Sequence, residues 1–145
     1  MNQLIIFDFN RTLYDPDANQ LIDGAQSLLD TARDKGYTLI LLAMAAPSRQ
    51  ALIEQLGIAE YFAEVILMDA KSQKVFRQLA QNYDADLSQS YVIGDRALGE
   101  ITYGHKAGWP TVWYRQGRFA DEEPVGFTPE HTITTLSQFQ KLITE

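Results

Sequence analysis

Four acids stand at or just beyond the ends of short apolar runs: Asp8 after LIIF, Asp69 after VILM, and Asp95 after YVIG, with Glu100 a few residues further on. An apolar run without alternation reads as a parallel strand buried on both faces. In an open α/β sheet, ligands sit in the crevice beyond the carboxyl ends of such strands, so several of these carboxylates should converge on one site. For Asp8 alone, capping of the following turn is the competing reading.

The elements that must position these acids follow from the spacing of apolar residues. Leu4, Ile5, Ile6 and Phe7 form the first expected strand, and residues 37–44 (YTLILLAM), 65–68, 91–93 and 111–113 form four more. A last short strand is expected at 132–134. Between them, Ala25, Leu28, Leu29 and Ala32 fall on one face of a helix that Asp23 caps and Gly36 ends. A second helix opens at Pro47 or Ser48, carries Leu52, Ile53 and Leu56, and closes at Gly57. A third, from about residue 72 to 83, buries Phe76, Leu79, Ala80 and Tyr83. Residues 97–107 are weakly helical, with Ile101, Gly104, His105 and Gly108 on one face, and Leu136, Phe139, Leu142 and Ile143 mark a final helix. Residues 14–22 and 115–129 are expected to be loops, the second one mobile. Strands alternating with helices imply an α/β three-layer sandwich around a mainly parallel sheet of five to six strands.

Size and charge narrow the function. A chain of 145 residues with 46% hydrophobic residues is the size of a single domain spanning 1–145. Its net charge of −7 would repel a polyphosphate backbone, so a nucleic-acid partner is not expected. The chain has no cysteine, which excludes disulfides and thiolate metal sites. No targeting segment or long apolar run is evident, so the expectation is a soluble, cytoplasmic protein without a membrane partner.

With these elements in place, the motifs resemble the haloacid dehalogenase (HAD) superfamily of phosphohydrolases. Asp8-Phe9-Asn10-Arg11-Thr12 is similar to that family's D-x-D-x-T motif, and Gly94-Asp95 with Glu100 is similar to its final acidic motif. Lys71, with Lys74 as a competitor, fits its lysine motif. The resemblance implies a HAD-like, Rossmannoid fold in which Asp8 takes up a phosphoryl group from a small phosphorylated molecule. It implies Mg²⁺ held by Asp8, Asp95, Glu100 and the backbone carbonyl of Asn10. Lys71 would hold Asp8 ionised, and the N–H groups of Phe9, Asn10 and Arg11 would cradle phosphate oxygens with Thr12 beside them. Arg11 reads as a substrate contact or a turn cap, and Arg96 as a crevice residue or a salt-bridged rim residue.

Two departures stand out. The family's second aspartate, which protonates the leaving oxygen and then activates water, is replaced by Asn10, and an amide cannot exchange a proton near neutral pH. At the end of the second strand, where the family places Ser or Thr, Ala43 and its neighbours Met44, Ala45 and Ala46 offer no hydroxyl. These losses imply reduced general acid–base catalysis, or a degenerate member that binds a phosphorylated ligand or a protein partner.

Neither gap that hosts a cap domain in the family is long enough for one here. A capless site would take its specificity from an oligomeric neighbour, a macromolecular substrate or nearby loops. The aromatic and basic segment from Trp109 to Phe119, with Arg115 and Arg118, offers such a surface unless Trp109 and Trp113 are core. His105 and His131 lack partners at metal-ligand spacing and read as helix-face and strand-edge residues. Asp121, Glu122 and Glu123 read as a solvated run.

Overall fold

The run Leu4–Phe7 forms β1, buried along its whole length, in the computed structural model, which describes residues 1–145. The chain then makes a short hairpin, β2 (Tyr14–Asp15) with β3 (Gln20–Leu21), and enters α1 (Ala25–Asp34). It continues through β4 (Thr38–Met44), α2 (Arg49–Gln55), β5 (Glu64–Met68), α3 (Gln73–Asn82) and β6 (Tyr91–Gly94). It ends with α4 (Thr102–Lys106), β7 (Thr111–Tyr114), β8 (His131–Ile133) and α5 (Leu136–Thr144).

Six strands pair in the order β5-β4-β1-β6-β7-β8, all parallel, with Phe7 in register with Leu41 on one side and Ile93 on the other. Because strand side chains alternate between faces, each central strand feeds two cores. Ile5, Phe7, Leu39, Leu41, Ile93 and Val112 pack beneath Leu28 and Leu29 of α1 and Leu136 and Phe139 of α5. Leu4, Ile6, Ile40, Leu42 and Val92 pack against Phe76 and Leu79 of α3 and against Trp109. The fold is thus the expected three-layer α/β sandwich, and neither the β1–α1 nor the α2–β5 connection carries an inserted domain. No helix is long and apolar enough to cross a membrane.

Local differences from the sequence reading have physical causes. Residues 14–22 are not an open loop: the β2–β3 hairpin is held by Tyr14, whose ring stacks on Phe9 at 5.1 Å. Helix α1 is entered through Gly24 at φ 87° rather than capped by the Asp23 side chain. Residues 97–107 do not form one helix. A wide turn over Ala97–Ile101 precedes α4, and Gly99, at φ −109° and ψ −116°, breaks the pattern. Of the face proposed there, Ile101 and Gly104 are buried, whereas His105 and Gly108 are exposed. Residues 115–129 hold a short turn, Gly117–Phe119, and are tied down by the Arg115 guanidinium, which donates to the Ala120 carbonyl and to Glu123.

Candidate active site

The carboxyl ends of β1, β4 and β6 open into a cavity of about 480 Å³ lined by Asp8, Asn10, Lys71, Asp95 and Glu100, among others. Asp8 follows β1 directly, and its backbone N–H is fixed by the Ile93 carbonyl at 3.0 Å. Lys71, between β5 and α3, donates from Nζ to Asp8 Oδ1 at 2.5 Å and to Glu100 Oε1 at 3.4 Å. Thr12 Oγ1 donates to the other Asp8 oxygen, Oδ2, at 3.1 Å. The competing lysine, Lys74, is exposed on α3 and does not line the cavity.

Asp8, Asp95 and Glu100 bring one carboxylate oxygen each to within 4.8 Å of one another, and all three residues are buried. Several of the four acids thus converge as expected, and the remaining one, Asp69, is exposed and outside the cavity. β5 is an edge strand, and of the residues that follow it Ala70 and Lys71, not Asp69, line the cavity.

Three acids around one lysine cannot all be ionised cheaply in a buried site. Burial pulls the Asp8 carboxyl upward, but the Lys71 ammonium and hydrogen bonds from Glu100, Lys71 and Asp95 outweigh it and hold Asp8 below the usual carboxylate range. Burial and the neighbouring Asp8 charge push Asp95 up to about 8. Burial, then Asp8, raises Glu100 well above its ordinary value. Lys71 is raised, because Asp8 and Glu100 outweigh the opposing effect of its own burial. Asp95 Oδ2 is buried with no hydrogen-bond partner. An orphaned acceptor amid three carboxylates is the donor set a hard divalent cation takes, so these residues fit such an ion.

The neighbours of Asp95 and Glu100 are shaped to hold them. Trp113 Nε1, on β7, donates to the Asp95 carbonyl at 3.1 Å. A Cβ on Gly94 would lie 2.5 Å from Glu100 Cγ, so only glycine lets that carboxylate in. Trp109 is buried too, its Nε1 donating to the Phe76 carbonyl, so both tryptophans are core rather than a recognition surface.

Several expected phosphate contacts are redistributed. The Arg11 N–H is taken by the Tyr14 carbonyl at 2.7 Å, with Arg11 at φ 63°, whereas the N–H groups of Phe9 and Asn10 have no protein acceptor. The turn therefore offers two donors and not three. The Phe9 ring is fully buried, which limits that residue to its backbone. Thr12 is also fully buried and orients Asp8 instead of facing a ligand. Ala43 points into the core, and Met44 is the β4 residue that lines the cavity.

Arg11 lines the cavity and pairs with Asp17 at 3.4 Å. Arg96 lines it as well, but Nε and Nη2 both donate to Glu122, at 3.1 and 2.9 Å to Oε2, and the guanidinium lies 3.9 Å from the centre of the Phe119 ring. Glu122 is accordingly not a solvated acid; its side chain is 16% exposed. Of the four cationic residues around the cavity, Arg11, Lys71 and Arg96 are ion-paired and Arg118 is not. Tyr103, Leu98 and Phe119 complete the rim; only Phe119 lies in the segment expected to offer a recognition surface. His105 stacks on Phe127 at 4.1 Å, outside the cavity, and His131 begins the edge strand β8.

Comparison with known proteins agrees with this architecture. A HAD-hydrolase-like family model matches residues 70–139. The chain is similar to a glyceraldehyde 3-phosphate phosphatase of Pyrococcus abyssi, 28% identical over 103 residues, 67% of this chain and 43% of that protein. It is also similar to a pyrimidine 5'-nucleotidase of Escherichia coli, 28% identical over 128 residues, 84% of this chain and 56% of that protein. The chain thus spans about half the length of the curated relatives it matches. Its fold superimposes on a haloacid dehalogenase-like family hydrolase of Xanthomonas campestris with a TM-score of 0.82 at 10% identity, covering 99% of this chain and 95% of that one. A HAD-superfamily hydrolase, subfamily IA, of Geobacter sulfurreducens superimposes with a TM-score of 0.77 at 11% identity, covering 98% and 100%. The parallel sheet and these matches bear out the resemblance to the HAD-like hydrolase superfamily. No inserted domain interrupts either connection that hosts a cap in that superfamily, and Asn10 stands where its first motif carries the second aspartate.

Proposed function

We propose that the protein is a Mg²⁺-dependent phosphohydrolase in which Asp8 attacks phosphorus and carries the phosphoryl group as an aspartyl phosphate until water releases it. The observation that carries this reading is the placement of Asp8: a carboxylate at a strand end, paired with Lys71 at 2.5 Å and clustered with two further acids. Lys71 keeps Asp8 charged and presents its ammonium to a phosphate oxygen. The N–H groups of Phe9 and Asn10, which have no protein acceptor, would serve as donors to the remaining oxygens. Asp8, Asp95, Glu100 and the Asn10 carbonyl would hold Mg²⁺. Bound there, the ion would offset the repulsion between carboxylate and phosphate dianion.

Similarity to a glyceraldehyde 3-phosphate phosphatase and to a pyrimidine 5'-nucleotidase supports a small phosphorylated substrate. Arg118 would meet a second anionic group on it, and the exposed Met44 and Leu98 would border its organic part. Because Asn10 cannot protonate a leaving oxygen, the site favours acyl and aryl phosphates over alkyl esters. Loss of that acid–base step is worth about 10² to 10⁴ in rate for a poor leaving group.

The test is phosphate release from acetyl phosphate and an aryl phosphate, with Mg²⁺ or with chelator, in the parent protein and in Asp8→Asn. Release that requires both Mg²⁺ and Asp8 is expected; release that survives Asp8→Asn contradicts the assignment. A second reading rests on Met44 and Asn10, which remove a hydroxyl and a proton carrier from the site. It is a member that binds a phosphorylated ligand or protein without turnover. Thermal stabilisation by phosphate with no hydrolysis of any tested ester would favour it.

A further inference from the structure

Fast hydrolysis of an aspartyl phosphate is helped by a group that takes a proton from water, and the cavity holds no spare one. Its carboxylates are Asp8, Asp95 and Glu100, all committed to the buried cluster. Lys71 is ion-paired to two of them, Asn10 is an amide, and the arginines are permanent cations. No histidine lines the cavity: His105 is stacked on Phe127, and His131 is on the far edge of the sheet. Tyr103 supplies a phenol hydroxyl at the rim.

A carboxylate nucleophile has no proton to lose and needs no such base. We infer that the protein catalyses phosphoryl exchange between small carboxylates, with Asp8 as the intermediate carrier, faster than it hydrolyses the phosphoryl group. The inference rests on the proposed role of Asp8. In the first step, an Asp8 oxygen bonds to the phosphorus of an acyl phosphate. The bond from phosphorus to the acyl oxygen breaks, and its electron pair leaves on the released carboxylate. In the second step, a different carboxylate anion attacks the same phosphorus, and the pair of the breaking bond returns to Asp8. Both species are mixed carboxylic–phosphoric anhydrides, so neither direction is strongly uphill, and no proton moves.

The mouth of the cavity suits such partners. Arg118 is the one cation there without a carboxylate, and is free to hold an incoming one. Met44 and Leu98, 44% and 48% exposed, give apolar surface for a short acyl chain. No inserted domain shields the cavity from a second substrate.

The experiment incubates the protein with Mg²⁺, acetyl phosphate and isotopically labelled acetate. It follows label entering acetyl phosphate, free phosphate, and the intact mass of the protein, in the parent and in Asn10→Asp. Expected in the parent are a one-phosphoryl mass increase and label exchange roughly 10² faster than phosphate release; in Asn10→Asp the adduct fades and release overtakes exchange. Rapid phosphate release from the parent, with neither adduct nor exchange, overturns this inference and leaves the phosphohydrolase reading standing. Absence of adduct, exchange and release in both proteins overturns the two together.

Discussion

Glu100 occupies the space that a side chain on residue 94 would fill: a Cβ on Gly94 would lie 2.5 Å from Glu100 Cγ and 2.6 Å from Oε1. Gly94 is therefore part of the acidic site although it contributes no functional group. Replacing it with alanine forces the Glu100 carboxylate away from Asp8 and Lys71, an overpacking that typically costs about 1–3 kcal/mol. Gly94→Ala should melt several degrees below the parent and lose most of its stabilisation by Mg²⁺, as read by thermal denaturation with and without the ion. A variant that melts lower yet gains as much from Mg²⁺ as the parent would remove Glu100 from the metal site.

Metal binding and proton binding should compete. Asp95, raised to about 8 chiefly by burial, retains its proton through neutrality in the metal-free protein, and Glu100 is raised in the same sense. A cation needs these groups as carboxylates, so Mg²⁺ binding at pH 7 should release protons. Calorimetric titration in buffers of different ionisation enthalpy should give heats that vary with the buffer. Buffer-independent heats would contradict the raised values.

The same groups set a pH dependence of stability. Asp95 titrates near 3.8 when unfolded and near 8 when folded, so between these values the folded chain holds a proton that the unfolded chain has lost. Its contribution is complete below about pH 4 and is lost as pH rises through 8. Asp8, lowered on folding, acts in the opposite sense and loses its contribution in acid. The metal-free protein should thus melt higher at pH 5.5 than at pH 8, and saturating Mg²⁺ should narrow that difference. A metal-free melting temperature that rises between those pH values would contradict the account.

Arg118 should act mainly on binding. As the unpaired cation at the cavity mouth, it attracts anionic substrates through a solvent-exposed contact that salt screens. Arg118→Ala should raise KM several-fold for a substrate with a second anionic group, while lowering kcat less. Added salt should erode the difference between parent and variant. Equal KM values at low salt would place Arg118 outside substrate recognition.

The parallel sheet was readable because buried strands such as Leu4–Phe7 and Tyr91–Gly94 are unbroken apolar runs, each followed at once by an acid. Three of the four strand-end acids meet, in line with the expectation that several would, and Lys71 rather than Lys74 meets them, since the residue just ahead of α3 is the one the chain turn delivers to the crevice. What the pattern could not convey was which hydrogen-bonding groups were already spent. Arg11 has the N–H a cradle needs, but the β2–β3 hairpin claims it through Tyr14. Trp113 reads as an apolar strand residue, and only its placement on β7 beside β6 shows that its indole N–H secures Asp95. Glu122 sits in an acidic run, and its burial beneath Arg96 depends on a loop closing over 26 residues of sequence separation. The position of Met44 rather than Ala43 at the crevice is a matter of strand alternation: Ala43 falls on the core side and Met44, one residue on, on the open side.

The central claim, that Asp8 works beside an amide, Asn10, that cannot pass a proton to the leaving group, is tested most directly by a leaving-group series. The measurement is the dependence of log kcat/KM on leaving-group pKa across acyl, aryl and alkyl phosphates, in the parent and in Asn10→Asp. The account predicts a steep fall in the parent and a much flatter line in Asn10→Asp, with alkyl esters gaining about 10² or more. A line equally flat in both proteins would mean that another group delivers the proton, and would contradict the role given to Asn10.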